Sequence, residues 1–277
     1  MSTSLIAAVI QLSSQADVAA NLERAEKLIG GACAAGANLV ALPENFAHMG
    51  ENDQKRAIAE PLDPERGGAP GPIVSFVRET AKRYGIHLVA GGFPERSPDP
   101  ARPFNTSLLA GPDGSILATY RKIHLFDVNL ADGTNLQESA ATTAGEERVV
   151  ASIGGATLGM TICYDVRFPE LFRALARRGA RIITVPAAFT VPTGKDHWHV
   201  LLRARAIEDQ VFVLAPAQTG KHPLGRQTYG KSLIVDPWGD VLAQAGEGEG
   251  FALARLDLAY QDRVRASLPS LEHVRLL

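Results

Sequence analysis

The sequence predicts an α/β protein, a four-layer α-β-β-α sandwich in one domain with two related halves. Three observations point there. Short apolar runs alternate with stretches of helical periodicity along the whole chain. Two segments recur: Ser107-Leu-Leu-Ala-Gly-Pro-Asp-Gly-Ser-Ile-Leu-Ala aligns with Ser232-Leu-Ile-Val-Asp-Pro-Trp-Gly-Asp-Val-Leu-Ala, and Asn38-Leu-Val-Ala-Leu-Pro-Glu-Asn-Phe with Arg181-Ile-Ile-Thr-Val-Pro-Ala-Ala-Phe. The length, 277 residues with 45% apolar and 21% charged residues, suffices for a sizeable core. Two similar sheets, each with helices over one face, can bury their other faces together.

The elements follow in chain order. Residues 5–12 read as a strand. Residues 17–36 read as a helix, with Val18, Leu22, Ala25, Ile29 and Ala32 at helical spacing and Asp17 as N-cap. A buried strand at 38–42 precedes a helix at 73–84 and a strand at 86–90. Strands at 106–109 and 115–120 flank Gly111-Pro-Asp-Gly, a hairpin turn. The second half repeats the order: strand 156–162, helix 169–178, strand 181–185, helix 196–209, strand 211–215, then a hairpin around Asp236-Pro-Trp-Gly. The longest irregular stretches are 91–104 and 123–144, and long loops in a compact domain are often functional. The whole chain, 1–277, reads as a single domain.

Composition excludes several classes of function. Lys plus Arg number 28 and Asp plus Glu 30, a formal charge of −2, so there is no electrostatic footprint for nucleic acid. No apolar run approaches the roughly 20 residues that span a bilayer, so no membrane partner is expected. The opening residues lack a basic segment and lead straight into Gln11, which reads as a strand rather than a leader. Two cysteines, Cys33 and Cys163, make a disulfide framework unexpected, and a reducing cytoplasm is the default. No G-x-S-x-G, G-x-x-x-x-G-K-[ST] or H-E-x-x-H pattern occurs. His197 and His199 do not share a helix face. Neither a metal nor another cofactor is expected.

Five residues stand out chemically. Cys163 ends an apolar run, Gly159-Met-Thr-Ile-Cys-Tyr-Asp-Val-Arg-Phe-Pro-Glu-Leu, and a helix begins shortly after. Such an elbow exposes one side chain and aims the next backbone N–H, that of Tyr164, at the same point. The alternative is a buried structural cysteine, which suits Cys33 better. Glu44, after Leu39-Val-Ala-Leu-Pro, sits where strand ends face a ligand crevice, or else turns into solvent. Lys122 closes the hairpin strand, and most lysines in such places are solvated. Glu138, in Asn135-Leu-Gln-Glu-Ser, carries little signal alone. Arg167, four residues past Cys163, suits a carboxylate, since guanidinium can bind it bidentately. Its alternative is an ion pair with Asp165 or Glu170.

Leu42-Pro-Glu-Asn-Phe, Tyr120-Arg-Lys-Ile-His-Leu-Phe-Asp and Ile162-Cys-Tyr-Asp-Val-Arg-Phe-Pro-Glu-Leu occur in that order. Together they resemble the nitrilase (carbon–nitrogen hydrolase) superfamily, over nearly the whole chain. The resemblance implies the nitrilase-like four-layer sandwich and dimers or higher assemblies. It implies catalytic roles for Glu44, Lys122 and Cys163, with Glu138 as a second glutamate near the nucleophile. Within the superfamily the sequence is most similar to the Nit branch, through His197-Trp-His-Val-Leu-Leu-Arg-Ala-Arg-Ala-Ile-Glu, Ala217-Gln-Thr-Gly-Lys-His and Arg226-Gln-Thr-Tyr-Gly-Lys-Ser-Leu-Ile-Val-Asp-Pro-Trp-Gly. That likeness adds Phe189 and Thr193 to Arg167 and Tyr164 as substrate-binding candidates. It implies an amidase for small 2-oxoglutaramate-type amides, deaminated glutathione preferred, with free 2-oxoglutaramate as the ω-amidase alternative. A non-catalytic binder or scaffold of the same fold is the rival class. The C-terminal Leu268-Pro-Ser-Leu-Glu-His-Val-Arg-Leu-Leu lacks the branch's Arg-x-x-x-Leu-Tyr ending.

Overall fold

The computed structural model describes residues 5–62, 69–129 and 135–276. Residues 1–4, at the start of the N-terminal run, lie outside it. So do 130–134 of the long 123–144 stretch, and Leu277 of the atypical ending.

Two mixed sheets form the centre. In the first, Leu5–Leu12, Leu39–Ala41 and His87–Glu95 run parallel, and Phe104–Ala110 and Ile116–Arg121 continue antiparallel to the edge. In the second, Thr157–Met160, Ile182–Thr184 and Phe212–Ala215 run parallel, followed by the antiparallel Leu233–Val235 and Val241–Gln244. Each first parallel strand has an antiparallel neighbour on its other side. This is Gly250–Leu256 in the first sheet and Val150–Ser152 in the second.

The duplication read from the sequence is therefore a duplication of topology. The helices also correspond. Val18–Ala34 and Pro72–Tyr84 follow the first two strands of one sheet, and Pro169–Arg177 and His199–Asp209 those of the other. Even the hairpin turns match. Gly111 N donates to Ser115 O and Gly114 N to Gly111 O, both at 2.9 Å; Asp236 N donates to Asp240 O at 2.9 Å and Gly239 N to Asp236 O at 3.0 Å. Gly114 and Gly239 hold φ values of 81° and 93°, the region that excludes most other residues.

Strand alternation builds the layers. Ala7 and Val9 join Leu39, Ala41 and Val89 in a core shared with the second sheet, whereas Ala8, Ile10 and Leu12 face the helical layer with Leu22, Ile29 and Val77. Val18–Ala34 is capped as expected, with the Asp17 carboxylate accepting from Ala20 N.

Three differences from the sequence reading bear on the site. The strand read as 86–90 extends through Gly91, Gly92 and Pro94 to Glu95, with a bulge between Ala90 and Phe93. The helix expected from 196 starts at Val191, with Pro192 in its first turn and a π-helical turn at Gly194–Trp198 before His199–Asp209. The 123–144 stretch contains a small hairpin, Asp127–Asn129 with Asn135–Gln137.

Candidate active site

The site lies beyond the carboxyl ends of the parallel strands of both sheets, where α/β sheets place ligands. Cys163 follows Thr157–Met160 by three residues and begins the 3-10 turn Cys163–Arg167. Its φ is 47°, a conformation a β-carbon-bearing residue adopts at a cost of about 1–2 kcal/mol. Neighbouring bonds impose it. Cys163 N donates to Pro186 O at 2.8 Å, which ties the elbow to the adjacent strand end. The buried Asp165 carboxylate accepts from Ile162 N at 2.8 Å and Tyr120 OH at 2.6 Å, and from His124 N and Nδ1 at 3.1 and 2.7 Å. The Tyr164 N–H lies in the first turn of the elbow, where helical donors have no intrahelical acceptor.

Glu44 comes from the other half, three residues beyond Leu39–Ala41, and is 4% exposed. Its Oε1 accepts from Lys122 Nζ at 2.9 Å and Asn105 Nδ2 at 3.0 Å, and its Oε2 from Ala188 N at 3.1 Å. Its carboxylate lies close enough to the Cys163 thiol for its charge to act on it. Lys122, one residue past Ile116–Arg121 and 2% exposed, donates further to Glu138 Oε1 and Oε2 at 3.1 and 2.8 Å. Glu138 is held in turn by Phe126 N at 2.7 Å and by Asn105 Nδ2 at 3.3 Å. The bulge at Gly91 and Gly92 makes room for this cluster. A β-carbon on Gly92 would lie 2.0 Å from Asn105 Oδ1 and 3.2 Å from Glu44 Cγ.

Charge settles within this cluster in a definite way. Burial would lower the Lys122 pKa, but Glu138, Glu44 and Cys163 overcome it and hold the ammonium well above the usual lysine range. Burial would raise Glu138, and Lys122 with the Phe126 N–H holds it below its usual value instead. Burial and the Glu44 charge push the Cys163 thiol well up, with Lys122 opposing only in part. At neutral pH the resting sulfur is thus a thiol beside a carboxylate acceptor, with a fixed ammonium alongside.

The remaining candidates surround a niche next to Cys163. Tyr164, Arg167, Phe189 and Thr193 line it with Phe126 and Ala188. The Arg167 guanidinium lies 5.8 Å from the Tyr164 ring centre and 5.4 Å from that of Phe189, with Nη1 3.3 Å from His197 Nδ1. Asp165 is engaged elsewhere, and among the described residues Arg167 forms no ion pair. Thr193 Oγ1 bonds with Thr190 Oγ1 at 2.8 Å, and Phe189 packs on Trp198 with ring centres 4.8 Å apart. The niche adjoins a cleft of about 950 Å³, with which it shares Phe126, Cys163, Ala188 and Thr190.

The structure therefore brings Glu44, Lys122, Glu138 and Cys163 into one cluster and sets the other four candidates beside it. The sequence reading passed over Asn105, which bridges both glutamates, and Asp165, Tyr120 and His124, which hold the elbow. Asp165 was visible only as an ion-pair alternative for Arg167. Among the described residues no three His, Cys, Asp or Glu side chains gather as a metal site.

A duplicated sandwich whose strand ends join a cysteine elbow to a Glu–Lys–Glu cluster defines a hydrolase of carbon–nitrogen bonds. The chain belongs to the carbon–nitrogen hydrolase family, whose model matches residues 6–266. It is 46% identical over 271 residues to the deaminated glutathione amidase of Synechocystis sp., covering 97% of each chain. Its fold matches the C. elegans NitFhit protein with a TM-score of 0.90 and 39% identity, covering 99% of this chain and 66% of that one. It also matches Saccharomyces cerevisiae Nit3, a member of branch 10 of the nitrilase superfamily, with a TM-score of 0.86 and 34% identity over 96% of this chain and 94% of that one.

Proposed function

We propose that this protein is an amidase that hydrolyses deaminated glutathione through a thioester on Cys163. Arg167 carries the reading: a guanidinium beside the nucleophile that has no ion-pair partner among the described residues calls for an anionic acyl group, and a 2-oxo acid supplies one. The Synechocystis relative bears the name of this activity. Amide hydrolysis of free 2-oxoglutaramate is the narrower alternative.

Glu44 takes the thiol proton as Sγ bonds to the amide carbon. The carbonyl electron pair moves onto oxygen, where the Lys122 ammonium and the Tyr164 N–H hold it. The tetrahedral intermediate collapses as Glu44 protonates the leaving amine, which leaves the acyl thioester. Glu44 then takes a proton from water, whose oxygen attacks the thioester carbon. The C–S bond then breaks, the acid departs, and Glu44 returns its proton to the sulfur, which restores the thiol. Glu138 keeps Lys122 charged and aligned, and Phe189 and Thr193 shape the acyl niche.

We also infer a cytoplasmic enzyme that assembles at least as a homodimer. Two free thiols suit a reducing compartment. The exposed Val200 and Ile207 share a helix face near the exposed Trp238, an apolar surface fit for a second copy. The whole chain is read as one functional domain. The test is mass-detected hydrolysis of deaminated glutathione against 2-oxoglutaramate. The expected result is a higher kcat/KM for the former. Hydrolysis of neither by a folded protein overturns the proposal.

A further inference from the structure

The cleft that adjoins the niche, and that Arg167 does not line, contains two cations that the chemistry above does not use. Lys55, on the short helix Asn52–Ala57, and Arg226, just past the turn Pro223–Gly225, both line it. The Arg226 charge reaches Lys55, and both side chains are half-buried. Among the described residues neither side chain forms a hydrogen bond or ion pair. Glu138 and Glu44 act on Lys55 from the nucleophile's side but form no ion pair with it, so two cations lining one concave wall offer their hydrogen bonds to an incoming anion. The uncharged polar side chains of Asn45, Asn52, Gln227 and Thr228 line the same cleft, with Glu44, Lys122 and Glu138 at the nucleophile.

The volume argues for the same occupant. If the acyl group lies toward Arg167, the amine departs into the cleft of about 950 Å³. Ammonia needs no such space, whereas a dipeptide amine of the kind released from deaminated glutathione fills part of it and ends in a carboxylate. We propose that Lys55 and Arg226 form a subsite for the terminal carboxylate of the leaving amine, so that the enzyme selects amides whose amine half is itself an anionic peptide. This rests on the functional reading above and extends it from the acyl half of the substrate to the amine half. Burial disfavours the Lys55 ammonium, Glu138 supports it, and Arg226 opposes it again, so an arriving carboxylate relieves a charge already under strain.

The test compares deaminated glutathione with its analogue ending in glycinamide, which differ only in the terminal charge. The readout is the ratio of their kcat/KM values. The wild type should favour the acid by about 30-fold or more. Lys55→Met and Arg226→Gln should each cut that ratio about tenfold, and the double variant should bring it near unity. A wild-type ratio near one, or a ratio that survives in the double variant while both substrates slow together, overturns the subsite. In the second case Lys55 acts on the Glu138 cluster instead. Should the wild type hydrolyse neither amide, the functional reading has failed, and a second measurement still judges the subsite. Seryl-glycine, an unreactive dipeptide, should slow iodoacetamide labelling of Cys163 in the wild type and not in the double variant. Equal labelling with and without the dipeptide in the wild type overturns the proposal.

Discussion

Replacing Lys122 by Met keeps the length of the side chain and deletes its ammonium. That ammonium donates hydrogen bonds of 2.8 and 3.1 Å to Glu138 and 2.9 Å to Glu44. The loss should act separately on stability and on rate. Breaking a buried pair by removing one partner costs about 3–5 kcal/mol, because the other charge is left uncompensated. The pH dependence follows from Glu138. In the wild type its burial is outweighed by Lys122, so its pKa lies below the unfolded value of about 4.3. Such a carboxylate stabilises the fold above that pH and loses its contribution as pH falls. Without Lys122 burial prevails, the pKa rises, and protonation relieves the penalty. The deficit of the variant should therefore be largest at pH 8 and shrink toward pH 5. On rate, loss of one oxyanion donor costs about 10²–10³ in kcat, or about 2.7–4 kcal/mol. Urea unfolding at both pH values, with hydrolysis measured on the folded protein, reads the two effects. A folded variant with kcat within threefold of wild type would refute the oxyanion role and leave Lys122 as a counter-ion. A deficit that grows toward pH 5 would refute the electrostatic reasoning.

Cys163→Ala should abolish hydrolysis while circular dichroism stays unchanged, and an acyl adduct trapped on the wild type should map to Cys163; an adduct on Cys33 would overturn the assignment. Arg167→Ala should lower kcat/KM for 2-oxo acid amides about 10²–10³-fold relative to an amide without the acyl carboxylate, with Arg167→Lys recovering part of it. Equal losses on both would make Arg167 structural. Burial raises the Asp209 carboxyl to about 7, against the opposing Arg173 at 3.2 Å. Its contribution is thus fully present below about pH 4 and lost as pH rises through 7, about 4 kcal/mol at about 1.4 kcal/mol per pH unit. Asp209→Asn should flatten the stability curve over that window, and an unchanged curve in urea titrations would refute this.

The sequence displayed most of the frame because the frame is periodic. Strands buried on both faces appear as apolar runs, and Gly111-Pro-Asp-Gly and Asp236-Pro-Trp-Gly announce their turns by residue type alone. What stayed hidden lacked a period. Asn52–Ala57 buries none of its residues and is held at its start by Glu51 N donating to Gln54 Oε1 at 3.1 Å, so no apolar stripe marked it. Ala217–Lys221, which contains Gly220, and Gln227–Tyr229 are largely polar, and they become strands only by pairing with Leu5–Leu12 and with each other. In the site, Cys163, Glu44 and Lys122 could be singled out because each type has a chemistry of its own at a strand end. Asn105 could not. Its role comes from the Gly92 bulge that lets it reach two carboxylates, a tertiary fact invisible at the level of one residue.

The duplication also explains why the site is asymmetric. The matching segments Leu42-Pro-Glu-Asn-Phe and Val185-Pro-Ala-Ala-Phe end equivalent strands of the two sheets, with Glu44 opposite Ala187 in the alignment. A second carboxylate at position 187 would be a like charge buried near the first, with Lys122 already bonded to Glu44 and Glu138, and would cost several kcal/mol. An alanine there leaves the adjacent backbone to serve as a donor instead, and Ala188 N bonds to Glu44 Oε2 at 3.1 Å. Pro186 offers no N–H, but its carbonyl accepts from Cys163 N at 2.8 Å and so fixes the strained elbow. One strand end therefore supplies the acid–base group, and its counterpart supplies the neutral backbone that orients both reacting side chains. The two halves keep the same fold because their cores are alike, and they diverge at the strand ends because Lys122 already answers two carboxylates, Glu44 and Glu138, and a third would lack a counter-charge.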